Sequence, residues 1–415
     1  MNPYLVIDPT DDYPARIVRF LQGRGLDAVA LFSSPAQAGL WERRWRAELG
    51  GRVVAEHVVD REHVGALAER LRAEFPGGFS GIVPWDERTV LLGAELGEAL
   101  DLGWNPARVI ERFRDKFVLK AHLREHGTVR VNRSATVTDA GQAVAFARTL
   151  DAWPVVVKPT GGAGSMSVHF ADDVGSLLAA CQEVLERGLG EVLLEEYVGG
   201  VEHVVNGIVD ACGEVLVTEV WRYDKRDSHG EKNLYFETIK VSTHEAPFAA
   251  AAAYAREVLR TLGLRRAPFH MELKVDERGP CLIECGARFA GGHQPVLGSR
   301  LHHHDLFELA ACHYLAELDV SEDDVDFDHY DRHAARVVSG VQTHEVACVR
   351  EVLGVEEVER LPSFVGMGML RKVGQRVPVS RDVGSKAWEV YLFHPDAAQV
   401  ARDAVAARAL LRYVG

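Results

Sequence analysis

The sequence predicts a protein of several domains, in which an open, parallel α/β layer precedes regions of α+β type. Three observations predict this class. Strand-like and helix-like segments alternate over residues 1–105, the middle of the chain contains strands with period-2 hydrophobicity, and short strands return after about residue 331. A chain of 415 residues has room for two or three such domains.

The first domain is predicted to span residues 1–105. Its strand-like runs cover residues 4–8, 27–33, 52–59 and 81–83, and its helical stretches cover residues 13–25, 62–74 and 88–100. Strands that alternate with helices are typical of a largely parallel sheet. No G-x-G-x-x-G motif follows the first strand, so the sequence lacks the fingerprint of a dinucleotide-binding domain.

The second region is predicted to span residues 106–330 and the third residues 331–415. Residues 106–126 have the spacing of one amphipathic helix. Residues 221–242 are polar and aromatic, which favours a lid or a substrate loop, with surface decoration as the alternative. Short strands and a closing helix over residues 396–411 predict a small α+β subdomain at the end of the chain.

Residues 269–292, FHMELKVDERGPCLIECGARFAGG, predict two strands joined by a turn. If the turn centres on Arg278, then Glu272 and Glu284 face each other, with Cβ atoms roughly 4.5–5.5 Å apart. Facing like charges are destabilising, so a cation should lie between them, and oxygen ligands suit Mg²⁺. Arg288 and the glycines after it fit a phosphate-transfer site. The alternative is a solvated hairpin, and a slip of one residue would separate the pair.

A second informative stretch covers residues 153–170. A buried-type strand ends with Lys158, and a loop with Gly162, Gly164 and Ser165 follows. Backbone N–H groups in such a loop can surround phosphate oxygens while a lysine neutralises their charge. The loop is not a Walker motif, because no Lys-Ser/Thr follows its last glycine. A flexible hairpin tip is the alternative interpretation.

Other charged residues permit two interpretations each. Lys116 and Lys120 lie one helical turn apart, and the ordinary interpretation of such lysines is that they lie on a solvated helix face. Glu202 could bind ribose hydroxyls, and the backbone around Tyr197 could bind an adenine edge, although both are by type ordinary strand-end residues. Consecutive histidines at 302–304 point in different directions on any regular element, so no metal site is expected there.

Composition and charge exclude several classes of protein. The formal net charge of −14 argues against a nucleic-acid partner. No apolar run approaches the roughly 20 residues of a membrane helix, and the first residues lack the features of a signal peptide. Cys281 and Cys285 would stand roughly 13 Å apart on a strand, which excludes a disulfide or zinc site between them. We therefore expect a reduced, cytoplasmic protein without membrane association.

In order and spacing, these motifs resemble those of the ATP-grasp superfamily, and within it the carboxylate–amine ligases that join amino acids into dipeptides or related amides. The resemblance covers nearly the whole chain. It rests on RDK at 114–116, VKP at 157–159 with the glycine-rich loop, EEYV at 195–198, EH at 202–203, MELK at 271–274 and IECGAR at 283–288. It implies an ATP-grasp fold behind a pre-ATP-grasp domain, with a nucleotide lid over about residues 130–200.

The resemblance also implies a role for each matching residue. Lys116 and Lys158 match lysines on the nucleotide phosphates, and Gly162, Gly164 and Ser165 match the flap over them. Glu195, Tyr197 and Val198 match the hinge that holds adenine, and Glu202 matches a ribose-binding acid. Glu272 and Glu284 match the Mg²⁺ carboxylates, and Arg288 matches the arginine at the transferring phosphate.

The implied reaction is ATP-dependent formation of an amide or peptide bond. A small-molecule carboxylate, such as an amino acid, takes the γ-phosphoryl group of ATP to give an acyl phosphate and ADP, and an amine then displaces phosphate. ATP and Mg²⁺ are the implied cofactors, with Mn²⁺ as the alternative ion. Arg300 is a candidate clamp for a substrate carboxylate, and His270 and His293 are candidates near the amine. A homodimer is the family expectation.

One residue departs from the family pattern. Many members have an asparagine two residues after the second glutamate, as a further metal ligand, and this chain has Gly286. Water or a bidentate Glu284 would have to fill that place, which leaves the number of Mg²⁺ ions open. Two alternatives remain: another ATP-grasp enzyme, of purine-biosynthesis or carboxylase type, and a nucleotide-binding regulator that has lost turnover.

Overall fold

The N-terminal layer is a parallel sheet flanked by helices. The computed structural model describes residues 2–59, 61–127, 129–150, 152–161, 167–188, 191–315 and 321–415. The first elements are β1 (Tyr4–Ile7), α1 (Asp12–Gly23), β2 (Ala28–Phe32), α2 (Pro35–Arg44), α3 (Arg46–Leu49), β3 (Val53–Val58), α4 (Val64–Glu74), β4 (Gly81–Val83) and α5 (Val90–Ala99). All strand pairs are parallel, in the order β3-β2-β1-β4. Because helices cover β1, β2 and β4, these strands are wholly buried and apolar. The predicted α/β class is confirmed.

The predicted single helix over residues 106–126 is wrong, because the chain forms α6 (Ala107–Arg114) and α7 (Lys116–His126). Asp115 between them has an extended backbone, and its carboxylate accepts hydrogen bonds from the N–H groups of Phe117 and Val118. Such an N-cap starts a new helix, and hydrophobic spacing alone does not reveal it. The break places Lys116 at the beginning of α7.

A small antiparallel sheet follows and has its own apolar core. Its elements are β5 (Ser134–Val137), α8 (Ala140–Leu150), β6 (Val155–Pro159), β7 (His169–Ala171), α9 (Val174–Arg187) and β8 (Val192–Glu196), with the strand order β5-β8-β6-β7. Val155, Val157 and Leu194 are completely buried in this core. The alternation along β6 therefore places Lys158, like Val156, on the other face of the sheet.

Eight of the strands that follow form one antiparallel sheet. Its elements and neighbours are β9 (Val201–Val209), β10 (Val215–Ser228), β11 (Glu231–Lys240), α10 (Ala246–Leu262), β12 (Ala267–Asp276), β13 (Gly279–Gly286), α11 (Gln294–His302), α12 (Leu306–Tyr314), α13 (Phe327–Asp331), β14 (Ala334–Ser339), α14 (Val355–Glu359), β16 (Phe364–Gly368), β17 (Glu389–His394) and α15 (Ala397–Leu410). Strands β15 (Glu351–Leu353) and β18 (Arg412–Val414) form a separate pair. The order in the large sheet is β13-β12-β9-β10-β11-β14-β17-β16. The C-terminal strands thus continue the central sheet.

The segment over residues 221–242 is a long hairpin, so its description as a loop is wrong. β10 and β11 pair from Trp221 with Lys240 to Ser228 with Glu231. The inner half of β10 is buried, whereas its outer half carries charged and partly exposed side chains. Those polar residues hide the strand in a composition-based analysis, although the backbone hydrogen bonds continue.

The hairpin of β12 and β13 places Glu272 opposite Glu284, as predicted. The turn is one residue shorter than predicted, because Asp276 pairs with Gly279. If this register continued along both strands, Glu272 would lie opposite Ile283. A bulge between the Glu272 and Leu273 pairings shifts the register by one residue. The bulge therefore brings the two carboxylates together.

Gly200 lies in the connection between the small sheet and β9, where the backbone conformation and close packing require a glycine. Its φ is +82°, and a Cβ there would lie 2.1 Å from the backbone oxygen of Val275. Gly200→Ala should therefore lower the free energy of unfolding by more than about 1 kcal/mol, measured by urea denaturation. Gly199→Ala is the matched control, because a Cβ at Gly199 would meet nothing within 4 Å. Equal losses from the two variants would contradict this account.

Candidate functional site

An open cleft of about 740 Å³ lies between the small sheet and the central sheet. Eight residues that the sequence predicts for nucleotide or metal binding line it: Lys116, Lys158, Glu195, Tyr197, Val198, Glu202, Glu272 and Glu284. They come from α7, from strands of both sheets and from the connection between the sheets. Gly162, Gly164 and Ser165, the predicted loop residues, lie outside the described residues.

One wall of the cleft contains a buried charge cluster around Glu195. Its two carboxylate oxygens accept from Lys120 Nζ at 2.6 Å and from Lys158 Nζ at 2.9 Å. Lys120 also donates to Asn132 Oδ1 at 2.7 Å. Burial raises the pKa of Glu195, but Lys120 and Lys158 outweigh it and hold the pKa at about 2. The carboxylate is therefore ionised, and it orients both lysines.

Lys120 corrects the interpretation of α7 as having a solvated lysine face. Its side chain is completely buried, and burial lowers its pKa to about 8 against the opposing effect of Glu195. One helical turn earlier, Lys116 Nζ lies 3.5 Å from Glu284 Oε2. The two lysines thus approach different carboxylates.

Glu272 and Glu284 form the acidic part of the cleft. Glu272 Oε1 accepts from the hydroxyl of Tyr223 at 3.1 Å and lies 3.5 Å from Nε2 of His270. Burial raises the pKa of Glu272, but the contact with His270 and the charge of Lys225 outweigh it and lower the pKa to about 2. Glu272 is thus ionised beside Glu284, and the pair has the donor type that Mg²⁺ prefers.

Lys225 and Lys274 add two cations that the sequence analysis did not assign. Lys225 Nζ lies 2.5 Å from Glu202 Oε1, and both side chains are buried. Lys274 donates to the backbone oxygen of Val198 at 3.0 Å. Lys225 falls in the segment described as a loop, so no strand face could be assigned to it from sequence. Alternation along β12 put Lys274 on the Glu272 face, which was the available signal.

Apolar side chains line another part of the cleft, namely Val156, Val168, Phe170, Val198 and Ile283. The ring of Tyr197 meets that of Phe170 edge-on, with centroids 6.0 Å apart. A slot with apolar walls and a few fixed polar groups suits a flat heteroaromatic ring.

Arg288 adjoins the cleft through a smaller recess, which Lys116 and Glu284 also line. Its Nε donates to Glu87 Oε2 at 2.6 Å, and Arg114 donates to the other oxygen of Glu87. Glu87 lies in the connection between β4 and α5, so a residue of the N-terminal layer reaches this site. No motif in the sequence marked it.

The three predicted substrate residues are not part of the cleft lining. Arg300 is exposed in the last turn of α11, and His293 stacks on Tyr391 with centroids 4.1 Å apart. His270 is buried, and its Nδ1 lies 2.8 Å from Asn206 Oδ1. His270 therefore supports Glu272, and the substrate roles of all three residues remain predictions.

The charge cluster predicts a pH-dependent stability. Glu195→Gln should lower the free energy of unfolding by about 3 kcal/mol near neutral pH, because Lys120 stays buried without its anionic partner. The contribution of Glu195 is complete above its ordinary pKa of 4.5 and is lost as the pH falls through about 2. The difference between wild type and variant should therefore shrink between these pH values, measured by urea denaturation.

Glu196→Gln is the matched control for this experiment. Its carboxylate lies 3.5 Å from Arg133 and 3.7 Å from Arg278, both largely exposed arginines. Ion pairs with exposed arginines contribute little, and the amide oxygen of a glutamine can still accept the backbone N–H of Arg133, so a loss below about 1 kcal/mol is expected. Similar losses for the two variants at neutral pH would contradict the buried cluster.

Comparison with known proteins agrees with this architecture. The family model described as "ATP-grasp domain" matches residues 152–295. Dapdiamide A synthase of Enterobacter agglomerans is 32% identical over 266 residues, which cover 61% of this chain and 60% of that protein. The match thus spans less than two thirds of this curated relative.

Solved structures extend the similarity to the full length of the chain. The L-amino acid ligase from Bacillus licheniformis has a TM-score of 0.76 at 18% identity, covering 100% of this chain and 98% of that one. The biotin carboxylase domain of Hydrogenobacter thermophilus 2-oxoglutarate carboxylase has a TM-score of 0.69 at 16% identity, covering 100% and 92%. Among the described residues, no helix is both long and apolar enough to cross a membrane. The family model, the fold and the order of the motifs thus agree on an ATP-grasp domain within this chain, matched over residues 152–295.

Proposed function

We propose that the protein is an ATP-dependent carboxylate–amine ligase that joins an amino acid, or a related acid, to an amine and releases ADP and phosphate. One observation carries the proposal: Glu272 and Glu284 face each other in the same cleft as Lys116 and Lys158. Two facing carboxylates beside two lysines form a site for a metal–triphosphate complex.

The nucleotide is proposed to lie along the cleft. Tyr197 and Val198, with the neighbouring apolar wall, would hold the adenine, and Glu202 the ribose. Lys116 and Lys158 would bind phosphate oxygens. Glu195 would act chiefly through Lys158, because both of its oxygens are engaged by lysines.

The residues present fit a magnesium ion. Glu272 is ionised, Glu284 faces it, and the Nζ of Lys116 lies 3.5 Å from Glu284 Oε2. Within the described residues, no group of three or more acidic, histidine or cysteine side chains could hold a metal ion. Mg²⁺ usually keeps water and phosphate ligands beside one or two carboxylates, so a two-glutamate site is sufficient. When bound, the ion supplies Lewis-acid stabilisation of charge on phosphoryl oxygens.

In the proposed reaction, a substrate carboxylate oxygen attacks the γ-phosphorus of ATP, and the bond to the β-phosphate oxygen breaks. Arg288, Lys116 and Lys158 would stabilise the charge that develops on the transferring group. The amine then attacks the carbonyl of the acyl phosphate, and phosphate leaves. Because an acyl phosphate hydrolyses readily, closure of the small sheet over the cleft would exclude water.

The named relatives support small amino-acid-like substrates. The name of the L-amino acid ligase refers to amino acids, and that of dapdiamide A synthase refers to an amide. An ADP-release screen over amino-acid pairs, with mass spectrometry of the products, would identify the acid and the amine. A homodimer, and Mn²⁺ in place of Mg²⁺, remain predictions.

A carboxylase-type reaction is the second candidate, favoured by the fold similarity to a biotin carboxylase domain. It differs in requiring bicarbonate. ADP release that depends on an amino-acid pair and is unchanged by added bicarbonate would support the ligase, and the reverse result would support the carboxylase.

The metal assignment predicts that Glu284→Gln lowers ADP release at least about 100-fold while stability changes by no more than about 1 kcal/mol. The amide cannot supply the negative charge that a cation requires. Steady-state ADP release and urea denaturation measure the two quantities. Glu277→Gln is the control, because Glu277 lies exposed in the turn of the same hairpin. Normal turnover in the Glu284 variant would refute the metal role.

The phosphate assignment predicts that Lys158→Ala weakens ATP binding about 10-fold to 100-fold, because a hydrogen bond to a charged group contributes about 1.5–3 kcal/mol. Isothermal titration calorimetry with an ATP analogue measures the affinity. Lys372→Ala, at an exposed lysine outside the cleft lining, is the control. Unchanged affinity in the Lys158 variant would show that this lysine does not bind the phosphates.

A further inference from the structure

Glu87 is bound by arginines from two other parts of the chain. Its Oε2 accepts from Arg288 Nε at 2.6 Å, and its Oε1 accepts from Arg114, the last residue of α6. The side chains of Arg288 and Glu87 are only 15% and 20% exposed. A charge-assisted contact of this kind, shielded from water, fixes the geometry of both partners.

Two of the three nitrogen atoms of the Arg288 guanidinium group make hydrogen bonds within the protein, and the third can bind a ligand. Besides the bond from Nε to Glu87, Nη1 donates to the backbone oxygen of Phe289 at 2.8 Å. Among the described residues, no hydrogen bond of Nη2 is found. Because a guanidinium group is planar, two bonds set its plane and therefore the direction in which Nη2 points.

Glu87 also occupies the space beside Gly286. A Cβ at Gly286 would lie 3.1 Å from Glu87 Oε2 and 3.3 Å from the Cζ of Arg288. A larger side chain at this position would displace the ion pair. Gly286, which departs from the family pattern, therefore leaves the space that the Glu87 carboxylate occupies.

Hydrogen bonds and aromatic packing hold the connection that carries Glu87. Asp86 Oδ1 accepts from the N–H groups of Arg88 and Thr89, at 2.8 and 3.0 Å. Trp85 is buried, and its ring lies 5.2 Å from that of Phe289, the residue after Arg288. The same packing thus anchors the segments on both sides of the Glu87–Arg288 pair.

We propose that Glu87 is a positioning residue for Arg288, and that it fills the space left by Gly286 so that the N-terminal layer completes the phosphoryl-transfer site. The inference rests on the proposed function. Glu87 does not act as a metal ligand, since both its oxygens already bind guanidinium groups and no cluster of three metal-ligating side chains occurs among the described residues.

The test is a double-mutant cycle of Glu87→Gln with Arg288→Lys. In Glu87→Gln, the amide NH₂ faces one of the two guanidinium groups and leaves it without an acceptor. The turnover number should fall about 100-fold, the effect of a misplaced reacting group, while the KM for ATP and the half-saturating Mg²⁺ concentration stay within about threefold. In the Arg288→Lys background, Glu87→Gln should change turnover by less than about threefold.

Glu237→Gln is the matched control. Its carboxylate also lies between two arginines, with contacts of 2.7 Å to Arg336 and 2.5 Å to Arg408, but it is not part of the cleft lining. This variant should lose stability and keep its turnover number. A fall in turnover that equals that of Glu87→Gln would show that any broken double ion pair impairs the enzyme, which overturns the proposal.

Three further results overturn the inference. They are additive effects on turnover in the cycle, unchanged turnover in Glu87→Gln, and a rise in the half-saturating Mg²⁺ concentration that matches the fall in turnover, which would make Glu87 a metal ligand. If wild type releases no ADP with any substrate pair or with bicarbonate, the proposed function fails. The contact is then judged separately from the urea-unfolding midpoints of the same four proteins. If the effects of the two substitutions on the midpoint are not additive, Glu87 and Arg288 interact in the folded protein. If the effects are additive, the two residues do not interact.

Discussion

Two carboxylates, Glu272 and Glu284, are held opposite each other across β12 and β13, and much of the surrounding structure compensates for their repulsion. Facing like charges destabilise a sheet unless positive charge or hydrogen-bond donors lie nearby. Tyr223 and His270 contact Glu272, and Lys116 approaches Glu284. These contacts permit an acidic pair to persist in a folded protein, and the proposed metal ion would replace part of them.

The same balance of charge recurs on the other wall of the cleft. Glu195 holds Lys120 and Lys158 in fixed positions, and the buried lysine keeps its charge only because the acid is ionised. Lysines that are already oriented lose little side-chain freedom when phosphates bind. Burying these charges is energetically unfavourable, but it fixes the direction of the groups that would contact a nucleotide.

The N-terminal layer takes part in this arrangement through packing as well as charge. Trp85 lies among the rings of Phe289, Phe307 and Tyr314, and the hydroxyl of Tyr314 donates to the backbone oxygen of Pro84 at 2.9 Å. Glu87 follows directly and meets Arg288. An interface of aromatic rings therefore fixes an ion pair whose members are 201 residues apart in sequence.

The sequence by itself determined the alternating parallel layer, the hairpin that carries Glu272 and Glu284, and the types of residue that line the cleft, because hydrophobic period and local turn chemistry are recorded in neighbouring residues. Tertiary structure decided the rest. The helix break at Asp115, the bulge before Leu273, the burial of Lys120 and the partner of Arg288 depend on backbone hydrogen bonds and on contacts between distant segments. A hydrophobic pattern in the sequence shows on which face of an element a side chain lies. Which charged group from another segment contacts that side chain is decided only by the tertiary fold.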